Sequence, residues 1–304
     1  GTQEVPEAEL ETSGTQYISP NGDGIQDKAT IDFEVTVYVK SEEGYVPEYG
    51  ITISDPDGNV IRQVVEREES DVGWFLRIFR SFQAFTLERS ISWDGTDEDG
   101  NLVSDGTYAA DLWIVGASDR RTELELGDFV VDTTPPNVTV TEPDSLIFSP
   151  NDDGNLDDIT ISQTGGTVED LWEAEIRNET GNVAKTYTWQ NASPETIVWE
   201  GLNDSGELVD DGFYTYTISA TDRAGNSFSF SLEGIELDTT ETPVSIDVDT
   251  LFVSPDGDGV QDTVTIDIAE EYEDGIVEWR LTVNDARGEA VRTYGGTSAP
   301  PDDI

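Results

Sequence analysis

Three short acidic segments carry the residues of this chain that are best suited to chemistry. Each has an oxygen-bearing side chain at offsets 0, 2 and 6 and a glycine at offset 3, counted from the Asn or Asp that follows Ser-Pro. Ca²⁺ takes six to eight oxygen ligands at about 2.3–2.6 Å, from carboxylates, Asn amides and backbone carbonyls. With a carbonyl supplied at offset 4, the predicted ligands are Asn21, Asp23, Ile25 and Asp27; Asn151, Asp153, Asn155 and Asp157; and Asp256, Asp258, Val260 and Asp262.

The alternative interpretation of these acidic loops is a set of β-turns that bind no ion. Asn-Gly and Asp-Gly are strong turn formers in any context, and a glycine such as Gly24 allows a sharp bend with or without a cation. The repetition favours the metal, because all three copies keep all three oxygen positions. We therefore predict about one Ca²⁺ for each acidic loop.

The charge balance of the chain limits its partners. Among 304 residues, Lys plus Arg number 15 and Asp plus Glu number 66, so the formal net charge is −51. Nucleic acid and anionic membrane surfaces both repel such a field. The acids are spread over the whole length, which is typical of a surface adapted to high salt or to abundant divalent cations. The 7 Trp, 10 Tyr and 11 Phe argue against disorder, because they are enough to build cores.

Several residue types that catalysis commonly uses are absent. The chain has no His and no Cys, which removes the usual general base, the usual zinc ligands and any disulfide framework. No pattern marks a pair of carboxylates suited to glycoside hydrolysis, and repeated modules argue against a unique active site. We predict that the chain is not an enzyme. Because Met is also absent and no signal peptide is found, we expect a processed or internal segment of a longer protein.

The elements around the acidic loops read as β-strands joined by tight turns. The segments Tyr108–Ile114 and Tyr214–Ala220 alternate apolar and polar residues, which is typical of half-buried strands. Each follows a block that begins Trp-Asp-Gly or Trp-Glu-Gly, at Trp93 and Trp199. A further block, an aromatic residue followed by two strands around a turn, predicts a β-hairpin and occurs at Tyr49–Arg62, Trp172–Lys185 and Trp279–Arg292. No apolar run reaches the roughly 18 residues of a membrane span.

These blocks resemble the immunoglobulin-like domain of flagellar hook-capping proteins and its relatives in bacterial surface proteins. There the pattern is Ser-Pro-Asn-Gly-Asp-Gly, a hairpin, Trp-Asp-Gly, Asp-x-x-Gly and Gly-x-Tyr. Residues 15 to 240 match it twice, and residues 250 to 295 match its first half; Glu200 and Asp256 are the departures. The resemblance implies an all-β fold of tandem immunoglobulin/fibronectin-III-like β-sandwich modules in an elongated array. It implies little about function, because such modules occur as spacers in unrelated proteins.

The recurring blocks and the Pro-containing joints after Asp132 and Asp238 predict the domain organisation. An N-terminal extension (1–14) precedes module 1 (15–134), module 2 (135–240) and the first half of module 3 (241–304). We expect module 3 to be completed either by sequence beyond Ile304 or by a strand from another copy. Module 1 also carries an aromatic insertion near 71–88 without counterpart. It is either an extra strand pair or a partner interface formed by Trp74, Phe75, Arg77, Phe79, Arg80 and Phe82.

The predicted function is mechanical: a calcium-stiffened segment of a secreted or cell-surface bacterial stalk, filament or sheath protein. Its predicted partners are other copies of itself or the continuation of a longer parent chain. The first alternative is an adhesin or glycan-binding array, in which Trp93 and Trp199 would stack on sugars if they were exposed. The second is a non-catalytic accessory arm of a secreted enzyme. The predicted location is extracellular or on the cell surface, in an environment that could be rich in salt.

Overall fold

The computed structural model describes residues 7–10, 14–39, 48–67, 83–115, 121–240, 243–270, 276 and 278–304. The chain divides into two compact units, Gly1–Leu237 and Asp238–Ile304. The first unit contains two separate hydrophobic cores, one formed by residues between Ile18 and Val131 and the other by residues between Val138 and Leu237. We call the two sandwiches that surround these cores module 1 and module 2, and the second unit module 3. Residues 71–82 of the predicted aromatic insertion, which include Trp74, Phe75, Arg77, Phe79, Arg80 and Phe82, lie outside the described residues, whereas residues 83–88 belong to a described strand of module 1.

Module 1 is a sandwich of two sheets. Its strands are β1 (Glu7–Leu10), β2 (Gln16–Ile18), β3 (Ala29–Val39), β4 (Glu48–Ser54), β5 (Val60–Arg67), β6 (Gln83–Trp93), β7 (Gly106–Val115) and β8 (Arg121–Val131). One sheet has the order β1-β3-β6 and the other has the order β2-β8-β7-β4-β5. The short strand β2 runs parallel to β8, so that Ile18 lies opposite Val131; the other pairings are antiparallel.

Module 2 repeats this topology strand for strand. Its strands are β9 (Thr139–Thr141), β10 (Ile147–Phe148), β11 (Ile159–Thr164), β12 (Glu169–Asn178), β13 (Val183–Ala192), β14 (Ile197–Trp199), β15 (Gly212–Thr221) and β16 (Ser227–Leu237). The sheet orders are β14-β11-β9 and β10-β16-β15-β12-β13. Two packed sheets in this arrangement are the immunoglobulin-like architecture that the sequence predicts.

The alternation of residue types explains why these segments form half-buried strands. In β15 the buried side chains are Tyr214, Tyr216, Ile218 and Ala220, every second residue. Strand β7 shows the same alternation, except that Trp113 is buried as well. Successive side chains of a strand point to opposite faces of a sheet, so this pattern places one apolar face in the core. The aromatic residues that open the first two hairpins, Tyr49 and Trp172, are buried as predicted.

Module 3 consists of two strand pairs in its described residues. The strands are β17 (Val244–Val248), β18 (Ile266–Glu270), β19 (Glu278–Asn284) and β20 (Ala290–Thr297), paired as β17-β18 and β19-β20. The last residues pair with β18: Ile304 and Ile266 exchange two backbone hydrogen bonds of 3.0 Å. This contact matches the pairing of Ile197 with Ile161 in module 2. Within the described part of module 3, Ile268 is a buried side chain at 6% exposure.

Candidate metal centre

Each acidic loop lies between two strands that fix both of its ends. The first joins β2 to β3, the second joins β10 to β11, and the third joins β17 to β18. A backbone hydrogen bond closes each loop at its base, from the N–H of Ser19, Ser149 and Ser254 to the carbonyl of Gln26, Leu156 and Gln261, at 2.9, 2.7 and 2.7 Å respectively. The three loops therefore share one backbone frame.

Alternating left-handed residues give the loops their shape. In the first loop Gly22, Gly24 and Gln26 have φ values of 83°, 88° and 49°. Gly257, Gly259 and Gln261 repeat this in the third loop, at 81°, 87° and 56°. Glycine adopts such values without a steric penalty, which explains its presence at offset 3. The second loop keeps this pattern, with φ values of 63°, 86° and 55° at Asp152, Gly154 and Leu156, although its first left-handed residue is Asp where the other loops have Gly.

The predicted ligand side chains already hold the loop backbone. In the first loop, Asn21 Oδ1 accepts a hydrogen bond of 2.9 Å from the N–H of Asp23, and Asp23 Oδ1 accepts one of 2.7 Å from the N–H of Ile25. The Asp27 carboxylate accepts the N–H groups of Gly22 and Gly24, at 2.7 and 2.9 Å. A carboxylate offers about four lone-pair sites, so these bonds leave acceptor capacity for a cation.

The third loop gathers three carboxylates in one cluster. Oxygens of Asp256, Asp258 and Asp262 all lie within 4.8 Å of one another. Two unit charges 4 Å apart repel by about 1 kcal/mol even in water. A cation between them converts this repulsion into attraction. The cluster therefore fits a hard, oxygen-seeking ion such as Ca²⁺.

The second loop contains an acceptor atom without a partner. Asp157 Oδ2 accepts the N–H of Gly154 at 2.8 Å, whereas Asp157 Oδ1 is buried and forms no hydrogen bond. In the other two loops both oxygens of the equivalent Asp accept a backbone N–H. A buried carboxylate oxygen without a partner is costly, and a cation would satisfy it.

The structure brings the nine predicted side-chain ligands together in three groups, one in each loop. The backbone N–H groups of Ile25, Asn155 and Val260 each donate to the Asp two residues earlier, at 2.7, 2.8 and 2.8 Å. Their predicted role as carbonyl ligands stays a prediction.

The Trp-Asp-Gly or Trp-Glu-Gly block packs against the start of the acidic loop in modules 1 and 2. A Cβ atom added to Gly95 would lie 2.7 Å from Cγ of Pro20, and one added to Gly201 would lie 3.0 Å from Cγ of Pro150. These prolines belong to the Ser-Pro step that opens the acidic loop. In modules 1 and 2 the glycine turn therefore packs directly against that proline.

The tryptophans of these blocks are core residues. Trp93 and Trp199 are each 1% exposed, and their indole N–H groups donate to the carbonyls of Thr96 and Leu202 at 2.8 and 3.0 Å. Neither indole face is open to solvent. The interpretation of these two residues as a sugar-stacking platform is therefore wrong, and the structural interpretation is confirmed.

A possible second cation site at Asp97, Asp99 and Asn101 is better explained as a turn. Asp97 Oδ1 accepts the N–H groups of Asp99 and Asn101 at 3.0 and 2.8 Å. The hydrogen bond from the Asn101 backbone holds the pKa of Asp97 below its ordinary value. The same acceptor pattern recurs at Asp55, Asn178, Asn203, Asp222 and Asp285. In each of these turns an Asp or Asn side chain thus holds the backbone of its own turn.

A set of contacts between modules 1 and 2 was not predicted from the sequence. Ser19, Gln26 and Tyr17, in and beside the first acidic loop, contact Arg223 and Asn226 in the β15–β16 turn. The sequence does contain one feature that could have indicated these contacts: the segment Asp222-Arg-Ala-Gly-Asn has no counterpart at the same place in module 1. Its partner could not be deduced, because 207 positions separate Ser19 from Asn226.

Two repeated sandwiches with acidic loops at corresponding positions define a tandem array of immunoglobulin-like modules, as found in bacterial surface proteins. Residues 158–224 match the FlgD Ig-like domain model. A stretch of 259 residues is 26% identical to C5a peptidase from Streptococcus pyogenes, covering 80% of this chain and 19% of that protein. The chain thus spans about a fifth of the length of the curated relatives it matches.

The chain also has matches among solved structures. A tetra-tandem repeat from the extending region of a large adhesion protein is 20% identical, with a TM-score of 0.30 over 96% of this chain and 65% of that one. The fibronectin(III)-like modules of Clostridium thermocellum CbhA are 12% identical, with a TM-score of 0.33 over 76% and 95% of the two chains. Among the residues that the structure describes, no helix has the length and apolar character needed to cross a bilayer.

Proposed function

We propose that this chain is a structural, calcium-stiffened module array of a bacterial protein that acts outside the cell or on its surface. The observation that carries the proposal is the acidic loop, which has one backbone frame in all three modules and gathers side-chain oxygens at the same three positions. Repeating one site along an array suits a mechanical role, in which each module is stiffened alike. Other copies of the chain are the proposed partners.

The proposed ion acts on the stability of the loop. Asp256, Asp258 and Asp262 lie within 4.8 Å of one another, and the whole chain carries a net charge of −51. A ligand that binds only the folded state adds RT ln(1 + [L]/Kd) to the free energy of unfolding, or about 2.7 kcal/mol at a hundredfold excess over Kd. Each occupied loop would hold together the two strands that it joins, which belong to different sheets in modules 1 and 2. The array would therefore be stiff where Ca²⁺ is abundant.

A second candidate function is a non-catalytic accessory region of a larger secreted enzyme. The similarity to C5a peptidase favours it, because it extends over 80% of this chain but only 19% of that protein. Both candidates assign the same spacing and stiffening role to the modules themselves. They differ in what the array carries.

Calorimetric titration of chelator-treated protein with CaCl₂ tests the proposed ion. We expect about one bound Ca²⁺ for each acidic loop, since the three loops have the same frame. Each of the single variants Asp23→Asn, Asp153→Asn and Asp258→Asn should remove one site. Asn keeps the acceptor for the backbone N–H of the residue two positions later and removes only the charge.

The matched control for these variants is Asp57→Asn. Asp57 is an exposed acid in the β4–β5 turn, outside the acidic loops, and its replacement lowers the net negative charge by the same amount. The control should bind as many ions as the wild-type protein. Absence of any Ca²⁺ binding to the wild-type protein would overturn the proposed metal site.

A further inference from the structure

The β15–β16 turn of module 2, residues Asp222–Asn226, lies directly against the acidic loop of module 1. Ser19 Oγ donates a hydrogen bond of 2.5 Å to Oδ1 of Asn226. Ser19 is 1% exposed and Asn226 is 4% exposed. A buried polar pair between two modules requires both groups to stay in place, because either alone would lose its partner without gaining water.

The Asn226 side chain also binds the linker between the modules. Its Nδ2 donates to the carbonyl of Asp132 and to Oδ2 of Asp222, both at 2.8 Å. The N–H of Asp132 in turn donates to the carbonyl of Ile18 at 3.0 Å. A single amide thus connects the acidic loop, the linker and the turn, and both of its polar atoms are used.

Gln26 and Arg223 form the second half of the contact. Gln26 Nε2 donates to the carbonyl of Tyr17 at 2.8 Å and to the carbonyl of Arg223 at 2.9 Å. The Arg223 guanidinium lies 5.6 Å from the centre of the Tyr17 ring and donates to its hydroxyl at 3.2 Å. Asp170 in module 2 holds the guanidinium through two hydrogen bonds, of 2.8 and 2.6 Å. Asp170 therefore holds Arg223 in the orientation in which it contacts module 1.

Close packing of Gly225 against side chains of module 1 completes the contact. A Cβ atom added to Gly225 would lie 2.7 Å from Cγ2 of Ile25, and the adjacent Ala224 is 1% exposed. The turn therefore needs a glycine at this position. The loop of module 2 has Leu156 where module 1 has Gln26, so the amide contact is not a general property of acidic loops.

We propose that the acidic loop of module 1 is the docking site for the Asp222–Asn226 turn of module 2, and that Asn226 is the positioning residue of a stiff intermodule joint. Modules linked by a short peptide move relative to each other unless an interface restrains them. Here the restraint is a set of directional hydrogen bonds that leave one relative orientation satisfied. The inference goes beyond the proposed calcium site, because none of these contacts involves an ion.

Distance measurements between two spin labels test the joint in the full chain. The protein has no Cys, so Glu125→Cys in module 1 and Ser205→Cys in module 2 supply specific labelling sites at exposed positions. Double electron–electron resonance on the labelled wild-type background should give one narrow distribution of distances between the two labels. Asn226→Ala should broaden it about twofold, because the linker alone then restrains the modules.

The matched control is Asn182→Ala. Asn182 ends the turn from Asn178, which has the same Gly-Asn ending as the docking turn, and it should leave the distribution unchanged. Ser19→Ala removes the same intermodule bond from the module 1 side and should broaden the distribution even if the turn variant folds poorly. All variants are compared in the same buffer, first with Ca²⁺ and then with chelator. A failure of the proposed metal site is thereby distinguished from a failure of the proposed joint. Distributions for Asn226→Ala and Ser19→Ala as narrow as that of the control would overturn the proposal.

Discussion

Tyr216 in β15 donates a hydrogen bond of 2.9 Å to Oε1 of Gln163 in β11, across the core of module 2. Tyr216 is fully buried and Gln163 is 4% exposed. Strands β15 and β11 belong to different sheets, so this bond joins the two layers of the sandwich. In module 1, Phe33 takes the position of Gln163 and Ala110 takes the position of Tyr216. The two modules therefore fill the same space with different chemistry.

We expect Tyr216→Phe to destabilise module 2 by about 1–3 kcal/mol, because it leaves a buried oxygen of Gln163 without a donor. Urea denaturation followed by tryptophan fluorescence measures the change. Adding Gln163→Leu to this variant should recover part of the loss, since replacing both polar partners removes the unsatisfied group. A double variant that loses the sum of both single effects would contradict the inferred bond.

Chelation of Ca²⁺ should lower the melting temperature of the chain. Removing an ion leaves the carboxylates of each acidic loop without a counter-charge, as in the cluster of Asp256, Asp258 and Asp262. Differential scanning calorimetry at fixed ionic strength, with and without chelator, measures the shift. Mg²⁺ at equal concentration is the control for general charge screening. Identical melting curves in all three buffers would count against a stabilising ion.

Asp111→Asn should stabilise module 1 at neutral pH. Asp111 lies directly opposite Glu125 in the β7–β8 pair. Burial, followed by the charges of Glu125 and Glu123, raises the pKa of Asp111 above its ordinary 3.8. Since the folded state disfavours the charged form, the penalty is absent below pH 3.8 and complete above the raised pKa.

The gain from Asp111→Asn should therefore be about 0.5 kcal/mol at pH 7, the scale of a cross-strand charge pair, and should vanish near pH 3. Urea denaturation at the two pH values measures it. Asp57→Asn, which removes one charge from an exposed turn, is the control. An equal effect of Asp111→Asn at both pH values would show that its charge is not the cause.

Added NaCl should raise the melting temperature when Ca²⁺ is held constant. The net charge of −51 produces strong self-repulsion in the folded chain. The Debye length falls from about 10 Å at 0.1 M salt to about 3 Å at 1 M, so molar salt screens most of this repulsion. Thermal melts over this range of NaCl measure the trend. A melting temperature that falls as salt rises would refute it.

Local sequence patterns predicted most of the fold. Alternation along Tyr108–Ile114 and Tyr214–Ala220 predicted strands, and these lie within β7 and β15. The hairpins that begin near Tyr49, Trp172 and Trp279 were also predicted, because strand pairing across a short turn depends on neighbouring residues. The positions of the acidic loops could be predicted for the same reason, because their backbone conformation depends on nearby residues. It comes from left-handed residues and from side chains that accept hydrogen bonds from backbone N–H groups two to five positions away.

What only the tertiary structure decided depends on residues that are distant in sequence. The sequence by itself determined strands, turns and the residues of each acidic loop, since the interactions that specify them are local. It did not determine that Gln163 accepts a hydrogen bond from Tyr216, or that Asn226 accepts one from Ser19. An Asn after a Gly in an exposed turn and one that bridges two modules have the same local pattern. Only the folded chain distinguishes them, because their partners are chosen by how whole sheets and modules pack rather than by the adjacent residues.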